Sequence, residues 1–170
     1  MSKIFLFRGK AATGKTTITD LLSNELNVAI LRKDDIYDKL SVFNLEHSEK
    51  NKASYDILEK ILQTNIDTNS NLILDVSLAH NPYLNHFLSK IDLKGSQIYK
   101  FLCICSNQAE WKKRIEGRIK NPSPNQIFNS VQEAEQHYKK YDIAQVENEI
   151  ILDSSDDISI IMKKIYEVVG

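Results

Sequence analysis

The chain has 170 residues, enough for one well-buried core and too few for two ordinary domains. Its 22 basic and 23 acidic residues leave a formal net charge of −1, with 42% hydrophobic and 26% charged residues, which argues against a main role in coating nucleic acid or an anionic membrane. No apolar run approaches the ~20 residues of a membrane span, and Met1 to Arg8 lack the long apolar stretch and cleavage site of a secretory signal, so the expected location is cytoplasmic.

Apolar runs of strand length alternate along the chain with segments of helical period. Lys3 to Arg8 reads as a buried strand, and Ile18, Leu21, Leu22 and Leu26 form one stripe of a helix from Thr16 to Leu26. Val28 to Leu31 reads as a second strand, followed by a charged turn, Arg32-Lys33-Asp34-Asp35, and a short helix carrying Ile36, Leu40 and Phe43. A longer helix is predicted from about Lys50 to Asp67, and a third strand from Asn71 to Val76. Asn81 is the expected cap of the next helix, with Pro82 at its first position and an end near Lys90.

Gln97 to Cys105 reads as a fourth strand, with Cys103 and Cys105 spaced two apart on one face as packed thiols. Ser106 is the expected cap of a helix running through Trp111 to about Ile119. Asn121-Pro122-Ser123-Pro124 must break it, and a further helix is predicted over 125–140. Glu149 to Leu152 reads as a fifth strand, and Ser155 as the cap of a last helix ending at Val169. His47, His80, His86 and His137 show no H-x-x-x-H spacing, so no protein metal cage is expected. This alternation implies a parallel α/β sheet covered on both faces, in a single domain over 1–170.

Gly9-Lys10-Ala11-Ala12-Thr13-Gly14-Lys15-Thr16 fits G-x-x-x-x-G-K-[ST] at every specified position. The glycines permit close backbone approach, so that amides from Gly9 through Ala11, Ala12, Thr13, Gly14, Lys15, Thr16 and Thr17 can converge on phosphate oxygens. The helix that follows adds the positive end of its dipole. Lys15 is expected between the β- and γ-phosphates, and the Thr16 hydroxyl on Mg²⁺. A strand before the motif and an amphipathic helix after it are the context the motif requires.

A GTP switch would need N-K-x-D. The only Asn-Lys pair, Asn51-Lys52-Ala53-Ser54, lacks the Asp, and Asp92-Leu93-Lys94-Gly95 stands between a helix and a strand rather than at a strand's end. Three features point instead to phosphoryl transfer. Asp34-Asp35 follows the second strand, where the carboxyl ends of parallel strands line a ligand crevice, and one of these acids can take the proton of an attacking hydroxyl. The alternative is two solvated acids capping a helix, and both can hold, one Asp capping while the other reaches inward. Asp75 ends the third strand and can support Mg²⁺ or orient the acceptor, or cap a helix. Arg114 and Arg118 share a helix face before the proline bend, the arrangement of a lid at about 114–125 whose guanidinium groups steady a transferring phosphoryl; a solvated basic helix is the alternative.

Together these residues, from Lys3 to about Asp142, resemble the small ATP-dependent kinases of the P-loop superfamily. That group is related to the polynucleotide 5′-kinase domain, the zeta-toxin-type kinases and the chloramphenicol phosphotransferases. The resemblance implies a three-layer fold with five parallel strands in the order 2-3-1-4-5 and a small helical lid. It also implies Lys15 and Thr16 at the phosphates of ATP–Mg²⁺, Asp34 as base, Asp75 near the acceptor, and Arg114 and Arg118 in the lid. Two departures stand out: Tyr37 occupies a position where polynucleotide kinases carry arginine, and Ser77 to Leu84 contain none. A phosphate-bearing acceptor loses its expected anchors, which favours a neutral or small hydroxyl acceptor enclosed by 40–56. A 5′-hydroxyl nucleic-acid kinase and a nucleotide-dependent regulatory module are the alternatives. Oligomeric state has no signature in the sequence.

Overall fold

A computed structural model describes residues 1–170. Five strands, β1 (Lys3–Arg8), β2 (Ile30–Arg32), β3 (Leu72–Asp75), β4 (Gln97–Ile104) and β5 (Glu149–Asp153), form one parallel sheet in the order β2-β3-β1-β4-β5. Seven helices connect and cover them: α1 (Lys15–Leu26), α2 (Lys33–Leu40), α3 (His47–Asp67), α4 (Asn81–Ser89), α5 (Gln108–Lys120), α6 (Val131–Lys139) and α7 (Ile158–Val169). The strand order expected from the resemblance is the one found. No helix is long and apolar enough to cross a membrane.

The alternation of side chains along β1 divides the core. Phe5 and Phe7 face α1 and α7, packing with Ile18, Leu22, Ile161 and Ile165. Ile4 and Leu6 face α3 and α4, packing with Leu58, Leu62, Leu84 and Phe87. A strand buried on both faces therefore reads as continuously apolar. A smaller apolar cluster joins α5 and α6 to the loop after β1 through Trp111, Ile115, Phe128 and Ala134 around Ala12.

Arg8 ends β1 and is fully buried. Its Nε and Nη2 reach Glu149 Oε1 and Oε2 at 2.6 and 2.7 Å. The remaining N–H groups donate to the carbonyls of Leu78, Ala79 and Ala144. The guanidinium thus fastens β5 and the segment after β3 to the start of the phosphate loop, and every donor it has is used.

Several element ends differ from the sequence reading, each for a local reason. Asn27 closes α1 in the left-handed conformation, and Ser23 bonds Val28 through both its hydroxyl and its carbonyl, so β2 starts at Ile30 rather than Val28. The expected charged turn at Lys33-Asp34-Asp35 is the first turn of α2, with both carboxylates at the favourable end of the helix dipole. A capping box between Glu46 and Glu49 starts α3 at His47 rather than Lys50. His80, not Asn81, caps α4; the Asn81 amide donates instead to the Ala144 carbonyl at 3.1 Å. Asn107, not Ser106, caps α5, and Asp157, not Ser155, caps α7. Residues 125–130 are irregular, since Ser130 caps α6 at Val131 and Phe128 is drawn into the Trp111 cluster.

Candidate active site

The loop from Gly9 to Thr16 leaves β1 at the centre of the sheet and enters α1, with its amides turned into one concavity by positive φ at Gly9, Ala12 and Gly14. At Gly9 a Cβ would lie 2.2 Å from the Cys103 carbonyl oxygen, so no other residue fits without moving β4. The Thr13 hydroxyl bonds the Lys10 carbonyl at 2.9 Å. Lys15 Nζ donates to the Gly9 and Lys10 carbonyls at 3.1 and 2.8 Å, which holds the ammonium across the loop.

Two aromatic residues given no site role from the sequence brace this loop. The Tyr138 hydroxyl accepts from the Ala11 amide at 2.9 Å, and the Trp111 indole donates to the Ala11 carbonyl at 3.0 Å. Lys10 Nζ lies 5.5 Å from the Tyr138 ring centroid and 5.8 Å from that of Trp111. Burial pushes the Tyr138 hydroxyl up to about 12 and pulls the Lys10 ammonium down. Nothing local in the sequence links position 11 to 111 or 138, so these partners were legible only after folding.

At the carboxyl end of β3, the Thr16 hydroxyl donates to Asp75 Oδ2 at 2.9 Å, with Thr19 Oγ1 at 3.5 Å from the same oxygen. Arg32 Nε, at the end of β2, is also 3.5 Å from that oxygen, and the same guanidinium bonds Asp20. Asp75 is 7% exposed. Burial raises its pKa, opposed by the Lys15 charge and the Thr16 hydroxyl. A hydroxyl and a carboxylate side by side are the hard oxygen donors that suit Mg²⁺, which takes few protein ligands and fills its shell with phosphate and water.

A cavity of about 590 Å³ opens from the phosphate loop. Ala11, Ala12, Thr13, Gly14, Lys15, Thr16 and Thr17 form its floor; Asp34, Asp75 and Arg118 line it as well. Asp35 is exposed and does not line it. Of the expected enclosing segment, His47 and Tyr55 face the cavity and Phe43 does not. Four aromatic residues also line it: Tyr83, Phe87 and Tyr141, and Tyr138, which is bonded to the loop. Burial holds the Tyr55 hydroxyl up at about 12 although it bonds Ser77 at 2.9 Å, and raises Tyr141.

The two arginines expected in a lid differ in which cavities they line. Arg118 reaches the main cavity, whereas Arg114 lines a second cleft of about 410 Å³ behind the loop, with Gly14, Thr17, Ser154 and Ile158. Arg114 Nη1 donates to Ser154 Oγ at 2.8 Å and to the Ala12 carbonyl at 3.4 Å, and Nη2 bonds Glu110. Arg118 contributes to that cleft too.

A parallel sheet in this order, with the amide nest at the end of its central strand, is a P-loop nucleotide-binding fold. Solved structures share it. A Chloroflexus aurantiacus protein classed as a kinase superposes with a TM-score of 0.76 at 16% identity, covering 98% of this chain and 97% of its own. A sugar kinase from Janibacter gives 0.70 at 12% identity, covering 99% and 95%. Kti12 of Chaetomium thermophilum, in complex with ADP-AlF3, gives 0.67 at 12% identity, covering 98% and 99%. No curated protein matches the sequence. Residues 4–140 match the AAA_33 family of AAA domains, and the chain belongs to that family.

Proposed function

We propose that the protein is an ATP-dependent kinase that transfers the γ-phosphoryl group to a hydroxyl of a small-molecule acceptor. The observation that carries this reading is the placement of Asp34 on the wall of the one cavity that also holds Lys15, Asp75 and Arg118. A nucleotide-binding module without acceptor chemistry has no need of this carboxylate in the cavity.

In this reading the loop amides and Lys15 bind the β- and γ-phosphates, and Thr16 with Asp75 holds Mg²⁺. The ion, when bound, neutralises charge on the phosphate oxygens. Asp34 accepts the proton of the attacking hydroxyl and holds it in line. Arg118 stabilises negative charge on the transferring group, while Arg114, fixed to the back of the loop, borders the cleft for the nucleoside base. The segment 114–125 serves as a lid that excludes water from the transfer. The aromatic wall of Tyr83, Phe87 and Tyr141 suits a compact organic acceptor. The sugar kinase among the similar structures is consistent with such an acceptor.

The test is transfer of labelled γ-phosphate from ATP to a panel of sugars, sugar acids, nucleosides, hydroxy acids and 5′-hydroxyl oligonucleotides. A product on a small acceptor, abolished by Lys15→Ala, is expected. Transfer only to the oligonucleotide would replace the acceptor class, and hydrolysis alone across the panel would overturn the kinase reading.

A further inference from the structure

A buried ammonium is costly unless its N–H groups meet acceptors or a ligand. Lys33 is 6% exposed and is the first residue of α2, where the helix dipole also disfavours a cation. Its Nζ lies 4.5 Å from the Tyr37 ring centroid and 5.9 Å from that of Tyr55. Ring faces attract the charge but do not saturate three N–H donors. The nearest carboxylate oxygen, Asp34 Oδ1, is 3.7 Å away on a side chain that is 55% exposed, outside hydrogen-bonding distance. Burial lowers the Lys33 pKa, and the charges of Asp34 and Asp38 work against that fall.

The other lysines lining the cavity have closer partners. Lys52 pairs with Asp56 at 2.5 Å and Lys90 with Glu59 at 3.0 Å. Lys15 is held by the loop carbonyls. Lys33 is thus a largely buried lysine that lines the same cavity as the adjacent Asp34, its ammonium pairing only with that carboxylate at 3.7 Å and making no hydrogen bond within the protein.

We infer that Lys33 anchors an anionic group of the acceptor, a carboxylate or a phosphate-like oxyanion, so that the acceptor is an anion-bearing hydroxyl compound. The inference rests on the kinase reading and revises the expectation of a neutral acceptor. The arginines missing after β3 and at Tyr37 are replaced by one lysine on the helix that carries the base. The bound anion would accept hydrogen bonds from the Lys33 ammonium, and its position beside Asp34 would orient the neighbouring hydroxyl.

Calorimetry tests this on the full chain saturated with Mg²⁺ and a non-hydrolysable ATP analogue, whose terminal phosphate fills the loop. Acetate, inorganic phosphate and sulfate are then titrated separately, which distinguishes a carboxylate site from an oxyanion site. At least one anion is expected to bind, with affinity lowered about tenfold or more in Lys33→Gln, the loss of one charged hydrogen bond, and retained in Lys33→Arg. No anion binding in the wild-type chain, or equal affinity in a folded Lys33→Gln, overturns the inference and leaves the kinase reading standing. Failure of the analogue itself to bind overturns that reading and the inference with it.

Discussion

The hydroxyl of Thr16 and the carboxylate of Asp75 meet at 2.9 Å, joining the start of α1 to the end of β3. The two residues are 59 positions apart in sequence, yet both line the cavity at the phosphate loop, and Asp75 is shielded from water. Thr16→Ala and Asp75→Asn are each expected to lower the Mg²⁺-dependent part of nucleotide affinity by roughly tenfold to a hundredfold. Their affinity in EDTA should stay near that of the wild-type chain. Titration of a fluorescent nucleotide with and without Mg²⁺ separates the two components; equal losses in both conditions would show a damaged loop instead of a lost metal site.

The Arg8–Glu149 pair is expected to govern stability. Arg8→Met leaves the Glu149 carboxylate buried without its partner, at a cost of about 3–5 kcal/mol. The double variant Arg8→Met with Glu149→Leu should recover part of that loss, because no buried charge remains. Equilibrium unfolding in urea measures both.

Gly9→Ala has a different expected signature. Its Cβ would meet the Cys103 carbonyl oxygen at 2.2 Å in a backbone with φ of 143°, a conformation side chains rarely adopt. Backbone oxygen cannot swing aside as a side chain can, so β4 or the loop must shift. Unfolding in urea should show a loss of about 3 kcal/mol or more, with nucleotide binding lost alongside. Gly117→Ala, where an added Cβ meets nothing within 4 Å, is the matched control and should be slightly stabilising within its helix.

Acid stability is expected to depend on Asp153. Burial alone would raise its pKa, but bonds from Ser106 and Ser155 outweigh burial and bring it to about 2, from an ordinary 3.8. A lowered folded pKa means that the unfolded chain takes up the proton first. The stabilisation is therefore complete above pH 3.8 and is lost as pH falls through about 2. Asp153→Asn should flatten this part of the stability curve and lower stability at neutral pH. Urea unfolding at several pH values compares the slopes.

What the sequence revealed and what it hid divide along a physical line. The strands of the central sheet were legible because both faces are buried, so Ile4-Phe5-Leu6-Phe7 and Leu72-Ile73-Leu74 are unbroken apolar runs. The phosphate loop was legible because its chemistry is contiguous in the chain. Helix starts were less so. Ser106, Asn107, Ser155 and Asp157 are all competent caps, and tertiary partners decide among them: the Ser155 hydroxyl is taken by the Asn107 amide at 3.0 Å, and the Ser106 amide by Asp153 at 3.0 Å. Lys33 read as one charge in a charged turn until α2 and α3 brought Tyr37 and Tyr55 against it. Contacts across more than a hundred residues, such as Tyr138 to Ala11 and Arg8 to Glu149, leave no local pattern to read.

The paired acids and the paired arginines yield the last expectation. Asp34 and Asp35 are adjacent in the first turn of α2, but a helix turns about 100° per residue, so only Asp34 lines the cavity. Asp34→Asn is expected to lower kcat by about a hundredfold or more, the range of a lost general base, with little change in the KM for ATP. Asp35→Asn should leave kcat nearly unchanged. The same logic separates Arg118, which reaches the cavity, from Arg114, which is tied to Ser154 behind the loop. On the proposed roles, Arg118→Ala should lower kcat, as loss of charge on the transferring group, and Arg114→Ala should chiefly raise the KM for ATP, as loss of a residue at the proposed base cleft. Steady-state kinetics on an acceptor identified by the labelled-ATP panel reads all four variants. Equal kcat losses for Asp34→Asn and Asp35→Asn would mean that α2 serves as an acidic surface, and the base would have to be sought elsewhere on the cavity wall.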